Sequence, residues 1–367
     1  MIRLFKVLMA PEAADAAGTV LESGYVGQGP KVEEFERKLK AVLHSDVDIL
    51  TVNSCTSALD LSLRLIGVKP GDFVITTAMT CSATNTPVVT QGAVPVWADV
   101  DPWTGLISIN SVSRVMDALG PKAKAIIAVD WCGHTPHYGA LRSFGIPVIE
   151  DAAHAFRSTH HGGPIARAGG DYVAWSFQAI KALTTCDGGA LKCPADQVER
   201  ARLMRWYGLD RRSSKSFRCA QNIQEVGLKY HMNDLNAAIG IANLPVACLY
   251  VYKNQENAAF YGSALKGLNG VRLPMTSKDS AWWIYTLLVD DRDSFVKFMT
   301  ERGIEVSQVH ARNDHHDGFK RVAQSPVPLT GLDYFSSHQI AIPVGWWLTE
   351  KDREYVAESV IAWAKSG

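Results

Sequence analysis

Between residues 49 and 192, short apolar runs alternate with stretches of helical periodicity, and no other feature narrows the fold of this chain as much. ILTV (49–52), FVITT (73–77), VPVWA (94–98), AIIAVD (125–130), PVIED (147–151), YVAWSF (172–177) and GALK (189–192) read as strands. Several show little polar alternation, as strands covered on both faces do. Helical segments fall between them at 57–67, 80–91 and 110–119. Such alternation builds an α/β fold with a mostly parallel central sheet.

Upstream, Val32, Phe35, Leu39, Val42 and Leu43 recur at helical spacing after the glycine-rich SGYVGQGP (23–30), so 31–43 reads as an amphipathic helix. After residue 195 the texture changes. RRSSKSFRCAQNIQ (211–224) is polar and basic, as a mobile loop would be. NDLNAAIGIANL (233–244) carries an Asn cap and a helical interior, and a second helical stretch runs from about 247 to 266. WIYTLLVD (283–290), FVKFMTERG (295–303) and a last helix at 349–365 suggest a smaller C-terminal α+β domain. The expected division is 1–246 and 247–367.

Charge excludes some partners. Lysine plus arginine and aspartate plus glutamate number 37 each, so no global field favours nucleic acid or an anionic membrane. No apolar run approaches the roughly 18 residues that span a bilayer, and the N-terminus lacks a secretory pattern. The expected compartment is the cytoplasm. The seven cysteines, at 55, 81, 132, 186, 193, 219 and 248, form no CxxC pair and read as reduced thiols. His315 and His316 with Asp314 do not share a helix face, so no metal site is expected.

Four segments carry residue types suited to one chemistry. In VNSCTSALDLSL (52–63), Thr56 and Ser57 stand where a helix N-terminus offers free N–H groups and hydroxyls to an anion; an ordinary helix start explains them as well. In VIEDAAHA (148–155), Asp151 ends an apolar strand, where open α/β sheets bind ligands, and His154 follows by three residues. A carboxylate there can keep a pyridinium nitrogen protonated, or simply cap a helix. In WSFQAIKALTTCDGGAL (175–191), Lys181 lies between an apolar strand and a Gly-Gly turn, and burial there would free its amine for Schiff-base chemistry. A snorkelling lysine is the plainer alternative. Ser176 is placed to donate to a phosphate, and Gly188–Gly189 to let the backbone approach a cofactor. KYHMNDLNAAIG (229–240) sets a basic, aromatic run before a capped helix.

These segments, with TCSATNTPV (80–88) and SGYVGQGPKVEEFE near the start, occur in an order and register that resembles the DegT/DnrJ/EryC1/StrS family of sugar aminotransferases. The resemblance covers nearly the whole chain. It implies the type I, aspartate-aminotransferase-like fold with pyridoxal 5'-phosphate (PLP) as cofactor. It also implies a homodimer with its active site at the subunit interface, acting on glutamate and a nucleotide-linked keto-deoxysugar. By position, Lys181 is the lysine that carries PLP and serves as general base, Asp151 the pyridinium partner, and His154 a neighbour of the ring hydroxyl. Thr56, Ser57 and Ser176 match phosphate ligands, and Lys229 matches a phosphate contact supplied by the other subunit. Tyr25 and Arg312, and more weakly Arg211 and Arg212, are candidates for the sugar nucleotide.

The chain departs from the family pattern at three cysteines. Cys55 replaces a turn glycine, Cys81 stands where many members place an aromatic ring, and Cys186 replaces the first glycine of a GEGG-like turn. The dehydratase branch has histidine at the position of Lys181, which favours transamination. TCSATN, SFQAIK and the DGG turn lean toward members acting on 4-keto-6-deoxyhexoses. A catalytically idle scaffold and a PLP-dependent sugar dehydratase are the alternative readings.

Overall fold

A computed structural model describes residues 1–212, 220–275 and 277–366. Part of the segment expected to be a mobile loop, residues 213–219, and Cys219 with it, lies outside the described residues.

The expected strands form. β1 (Ile49–Val52), β2 (Phe73–Thr77), β3 (Val94–Ala98), β4 (Ala123–Val129) and β5 (Val148–Asp151) are followed by a small hairpin, β6 (Thr159–His160) with β7 (Gly163–Pro164). β8 (Tyr172–Ser176) and β9 (Gly189–Lys192) complete the larger sheet. Its seven strands lie in the order β1-β9-β8-β5-β4-β2-β3. β9 is antiparallel to both neighbours, while β8, β5, β4, β2 and β3 pair in parallel. The sheet is therefore mostly parallel, as the unbroken apolar runs require. Every residue of β1 and β5 is buried.

Local signals set the helix ends. Ser54 caps helix Cys55–Ile66 by accepting from the Ser57 N–H, and Gly67 ends it at φ 83°. Ser108 caps Ile109–Leu119 in the same way. The parallel strands all finish at one edge of the sheet. That edge gathers the start of helix Cys55–Ile66 after β1, Asp151 on β5 and Ser176 on β8. Because β9 runs the other way, its first residue, Gly189, arrives there too.

The C-terminal region holds a three-stranded antiparallel sheet, β10 (Val271–Arg272), β11 (Tyr285–Val289) and β12 (Gln339–Ile342). Helices Arg292–Glu301 and Glu350–Ser366 pack on it around Phe295, Met299, Val356 and Val360. The two helices expected at 233–244 and 247–266 are instead one, Asp234–Ala264, with Pro245 inside it. The expected division at 246/247 falls within this helix. Its first half (Ala237, Leu244, Ala247, Val251) joins the core beneath the large sheet, and its last turns (Ala258, Tyr261) join the core of the small one. By length and composition this helix is apolar enough to cross a membrane, against the expectation of no such run. Ala237, Leu244, Ala247, Val251, Ala258 and Tyr261 of this helix are packed in the cores described above, while Leu249 and Tyr252 are exposed. The N-terminal residues also return to this region, where Ile2 pairs with Ile304.

Candidate active site

At the strand-end edge lies a cavity of ≈ 360 Å³ lined by Thr56, Asp151, His154, Ser176 and Lys181, all singled out from sequence. Asp151 is 4 % exposed. Its Oδ2 accepts from the Thr84 hydroxyl at 2.7 Å, and its Oδ1 accepts from the Ala153 N–H at 3.1 Å. Burial raises its pKa above the usual carboxylate value, while Thr84, Ala153 and Lys181 pull it back down. Lys181 is partly buried, and burial lowers its pKa to about 8 although Asp151 opposes the shift. Its Nζ stands 3.5 Å from the centre of the Trp283 ring.

His154 is wedged among aromatic groups. Its ring tilts over Trp283 at 4.1 Å and stacks at 5.5 Å on His310, whose Nε2 is 3.4 Å from its own. Burial drives the His154 pKa well below the ordinary histidine value and that of His310 to about 4, so both rings are neutral. The buried His154 Nδ1 has no hydrogen-bond partner within the described chain.

Helix Cys55–Ile66 points its N-terminus at this cavity, which lends a partial positive charge and free N–H groups. The approach is tight. A Cβ on Gly189 would come within 2.6 Å of the Cys55 nitrogen and of the Ser54 carbonyl carbon. The Gly-Gly turn thus admits β9 beside the helix N-terminus, a neighbour different from the cofactor that the sequence suggested. Cys186, in the turn just before it, has φ 68°, the left-handed region in which glycine is at ease.

Other expected contacts are not brought together within one chain. Ser57 is buried, and its hydroxyl donates to Asn53 Oδ1 at 2.6 Å and does not face the cavity. Lys229 is exposed, with its carbonyl near Asn53. Tyr25 lines a separate cleft, where Arg211 donates to its hydroxyl at 3.1 Å; Arg212 lines the same cleft and pairs with Glu199. Arg312 is also away from the cavity. Its fork is held by Asp314 at 2.7 and 2.8 Å and by Asp333 at 2.5 Å, which leaves it little to offer a phosphate.

Sequence reasoning missed Thr84, Trp283, His310 and Phe5, which all line the cavity. Thr84 sits in the TCSATN motif, and His310 lies two residues before Arg312. Phe5 stacks on Trp283 at 5.1 Å across most of the chain's length, a contact without local signal.

The sequence profile of the DegT/DnrJ/EryC1/StrS aminotransferase family matches residues 8–361. The chain belongs to that family. Among solved structures it resembles AtS13 from Actinomadura melliaura, with 40 % identity, a TM-score of 0.92 and coverage of 99 % of this chain and 98 % of that one. It also resembles the sugar aminotransferase CalS13 from Micromonospora echinospora, at 34 % identity and TM-score 0.91, over 99 % and 100 % of the two chains. Among curated relatives, a dTDP-4-dehydro-2,3,6-trideoxy-D-glucose 4-aminotransferase from Saccharopolyspora spinosa is 30 % identical over 325 residues, 84 % of this chain and 83 % of the relative.

The fold is accordingly the type I fold of PLP-dependent enzymes, and PLP is the family's cofactor. The residues present fit it. An amine with a lowered pKa, a carboxylate at a strand end, an unpartnered buried imidazole nitrogen and a helix N-terminus converge on one cavity. Cys55 and Cys81 line that cavity too, and neither removes one of these groups.

Proposed function

We propose that this aminotransferase moves an amino group from glutamate to a nucleotide-linked keto-deoxysugar, with a 4-keto-6-deoxyhexose as the favoured class. The observation that carries the reading is the placement of the Lys181 amine, its pKa lowered to about 8, in one cavity with the buried Asp151 carboxylate. An amine titrating there is neutral in roughly a fifth of molecules near pH 7.4, far more than an ordinary lysine, and can hold the cofactor or take a proton. The curated relative that acts on a 4-keto sugar nucleotide supports the C4 assignment.

In this reading Lys181 would hold PLP, and its free amine would take and return the amino donor's α proton. Bound PLP would supply an electron sink for that step. Asp151 would keep the ring nitrogen protonated, and the Thr84 hydroxyl keeps the carboxylate oriented by its 2.7 Å hydrogen bond. The N–H groups at Cys55 and Thr56, with Ser176, would bind the phosphate, and His154 would lie beside the ring.

The active enzyme is a homodimer in this proposal, with Lys229 reaching the partner's phosphate. Tyr25 in the Arg211 cleft, its neighbour Val26, and Tyr207, Ile223 and Val226 are large apolar side chains left exposed, which supports a second copy packing there.

Purified protein should show a PLP absorbance band that bleaches on adding glutamate and returns with the matching keto-sugar nucleotide, while 2-oxoglutarate accumulates. A panel of 3-keto and 4-keto sugar nucleotides identifies the acceptor. A band indifferent to glutamate overturns the transaminase reading.

A further inference from the structure

Two more acidic side chains are sealed directly behind Asp151. Glu150 precedes it on β5 and so points to the opposite face of the sheet. Asp130 follows β4, and its N–H donates to the Asp151 carbonyl at 3.1 Å. Both carboxyl groups are 0 % exposed. Each has a donor for one oxygen only: the Tyr138 hydroxyl to Asp130 Oδ1 at 2.7 Å, and the Gly170 N–H to Glu150 Oε2 at 2.7 Å. Asp130 Oδ2 and Glu150 Oε1 are buried without a partner among the described residues.

The nearby cations are committed elsewhere. Lys192 on β9 donates to the Gly170 and Asp171 carbonyls, and Arg142 donates to the Gly169 carbonyl. The Asp171 carboxylate accepts the Val148 N–H. Yet the two carboxyls are neighbours: Ala128 pairs with Glu150 in the parallel register, and Asp130, two residues beyond Ala128, projects from the same face of the sheet, where the two side chains interact. Two carboxylates cannot hydrogen-bond, whereas a carboxyl and a carboxylate can, and a single proton between them satisfies both orphaned oxygens.

We propose that Asp130 and Glu150 share one proton and act as a positioning pair for Asp151, limiting the negative charge behind it to one so that Asp151 remains the ionised carboxylate of the site. The second half of this rests on the PLP reading above. Burial pushes both acids upward, Glu150 to about 7 and Asp130 higher, where the charge of Glu150 adds to the effect. For an acid whose folded pKa is raised, the folded state keeps its proton longer than the unfolded chain. Stability is therefore full at low pH and falls as pH rises from about 4.5 through about 7.

Infrared spectra of the apoenzyme and the holoenzyme test the shared proton. Wild type should show a protonated-carboxyl band near neutral pH that is absent from Glu150→Gln and from Asp130→Asn, where an amide replaces the proton. Its absence from wild type overturns the shared proton whether or not PLP binds. The holoenzyme's absorbance, titrated with pH, tests the positioning role: wild type should show a step that tracks the loss of the infrared band, and Glu150→Gln should not. Identical absorbance titrations in the two proteins reduce the pair to a structural feature and overturn that role. Should the amide variants fail to fold, Tyr138→Phe removes a donor to the pair's charged form, and it should move both the band loss and the absorbance step to higher pH. A step that stays in place also overturns the proposal.

Discussion

The Lys181 nitrogen lies 3.5 Å from the centre of the Trp283 ring, and the indole N–H of Trp283 donates to the carbonyl of Ile180, the residue before that lysine, at 2.8 Å. The lysine thus brings its own roof, tied to its backbone on one side and stacked on Phe5 on the other. The π face steadies an ammonium by about 1–2 kcal/mol. Loss of water is the largest influence on the Lys181 pKa and brings it from an ordinary 10.5 to about 8 against the pull of Asp151.

This shift has a measurable consequence. Capture of PLP by the apoenzyme needs the neutral amine, so its rate should rise with pH and level off above about 8, well short of the ordinary lysine range. The same group adds stability as pH rises between about 8 and 10.5, where the unfolded chain still holds a proton that the folded chain has released. Lys181→Ala should lower turnover by at least the ~10²–10⁴ typical of a lost general base, with PLP affinity measured alongside. Undiminished turnover would remove the assignment.

Gly189→Ala tests the approach of β9 to the helix N-terminus. The new methyl meets backbone atoms of Ser54 and Cys55 at 2.6 Å, and backbone cannot swing aside as a side chain can. A loss of about 1–3 kcal/mol in urea unfolding is expected, as for other overpacked sites. Weaker PLP binding should accompany it, because the displaced atoms begin the helix proposed to hold the cofactor's phosphate. Wild-type affinity with lowered stability would separate the helix from phosphate binding.

Cys186→Gly should stabilise the protein. A left-handed conformation costs a residue with a Cβ roughly 1–2 kcal/mol, and glycine's greater freedom in the unfolded chain returns roughly 0.5–1 of that. A net gain of about 0.5–1 kcal/mol in denaturant unfolding is the expected result at this exposed turn.

Arg312→Lys separates a structural role from a substrate role. A lysine cannot satisfy Asp314 bidentately and Asp333 together, so stability should fall by about 1–3 kcal/mol. KM for the sugar nucleotide should stay within about twofold. A KM rise of tenfold or more with unchanged stability would return Arg312 to the binding site.

Much of the site was legible because its residues sit in short local patterns. Asp151 ends a strand, Ser54 and its neighbours start a helix, and Lys181 precedes a Gly-Gly turn; each of these is a statement about a few consecutive residues. Phe5, Trp283 and His310 were illegible for the opposite reason. They reach the cavity from segments remote in sequence, and an aromatic residue in an apolar run looks the same whether it faces a core or a cofactor. Arg312 misled because a cation's sequence neighbours do not reveal that one of its carboxylate partners lies 21 residues away.

By itself, then, the amino-acid sequence determined the mostly parallel sheet, the family and the order in which Asp151, Ser176 and Lys181 arrive at its edge. Periodicity, caps and turns are properties of neighbouring residues, so they survive in one dimension. The tertiary structure alone decided what surrounds those groups: the Trp283 face over Lys181, the Thr84 hydroxyl on Asp151, and the Asp130–Glu150 pair behind it. Solvation and long-range hydrogen bonding set a titrating group's behaviour, and both depend on which distant segments the fold brings to it.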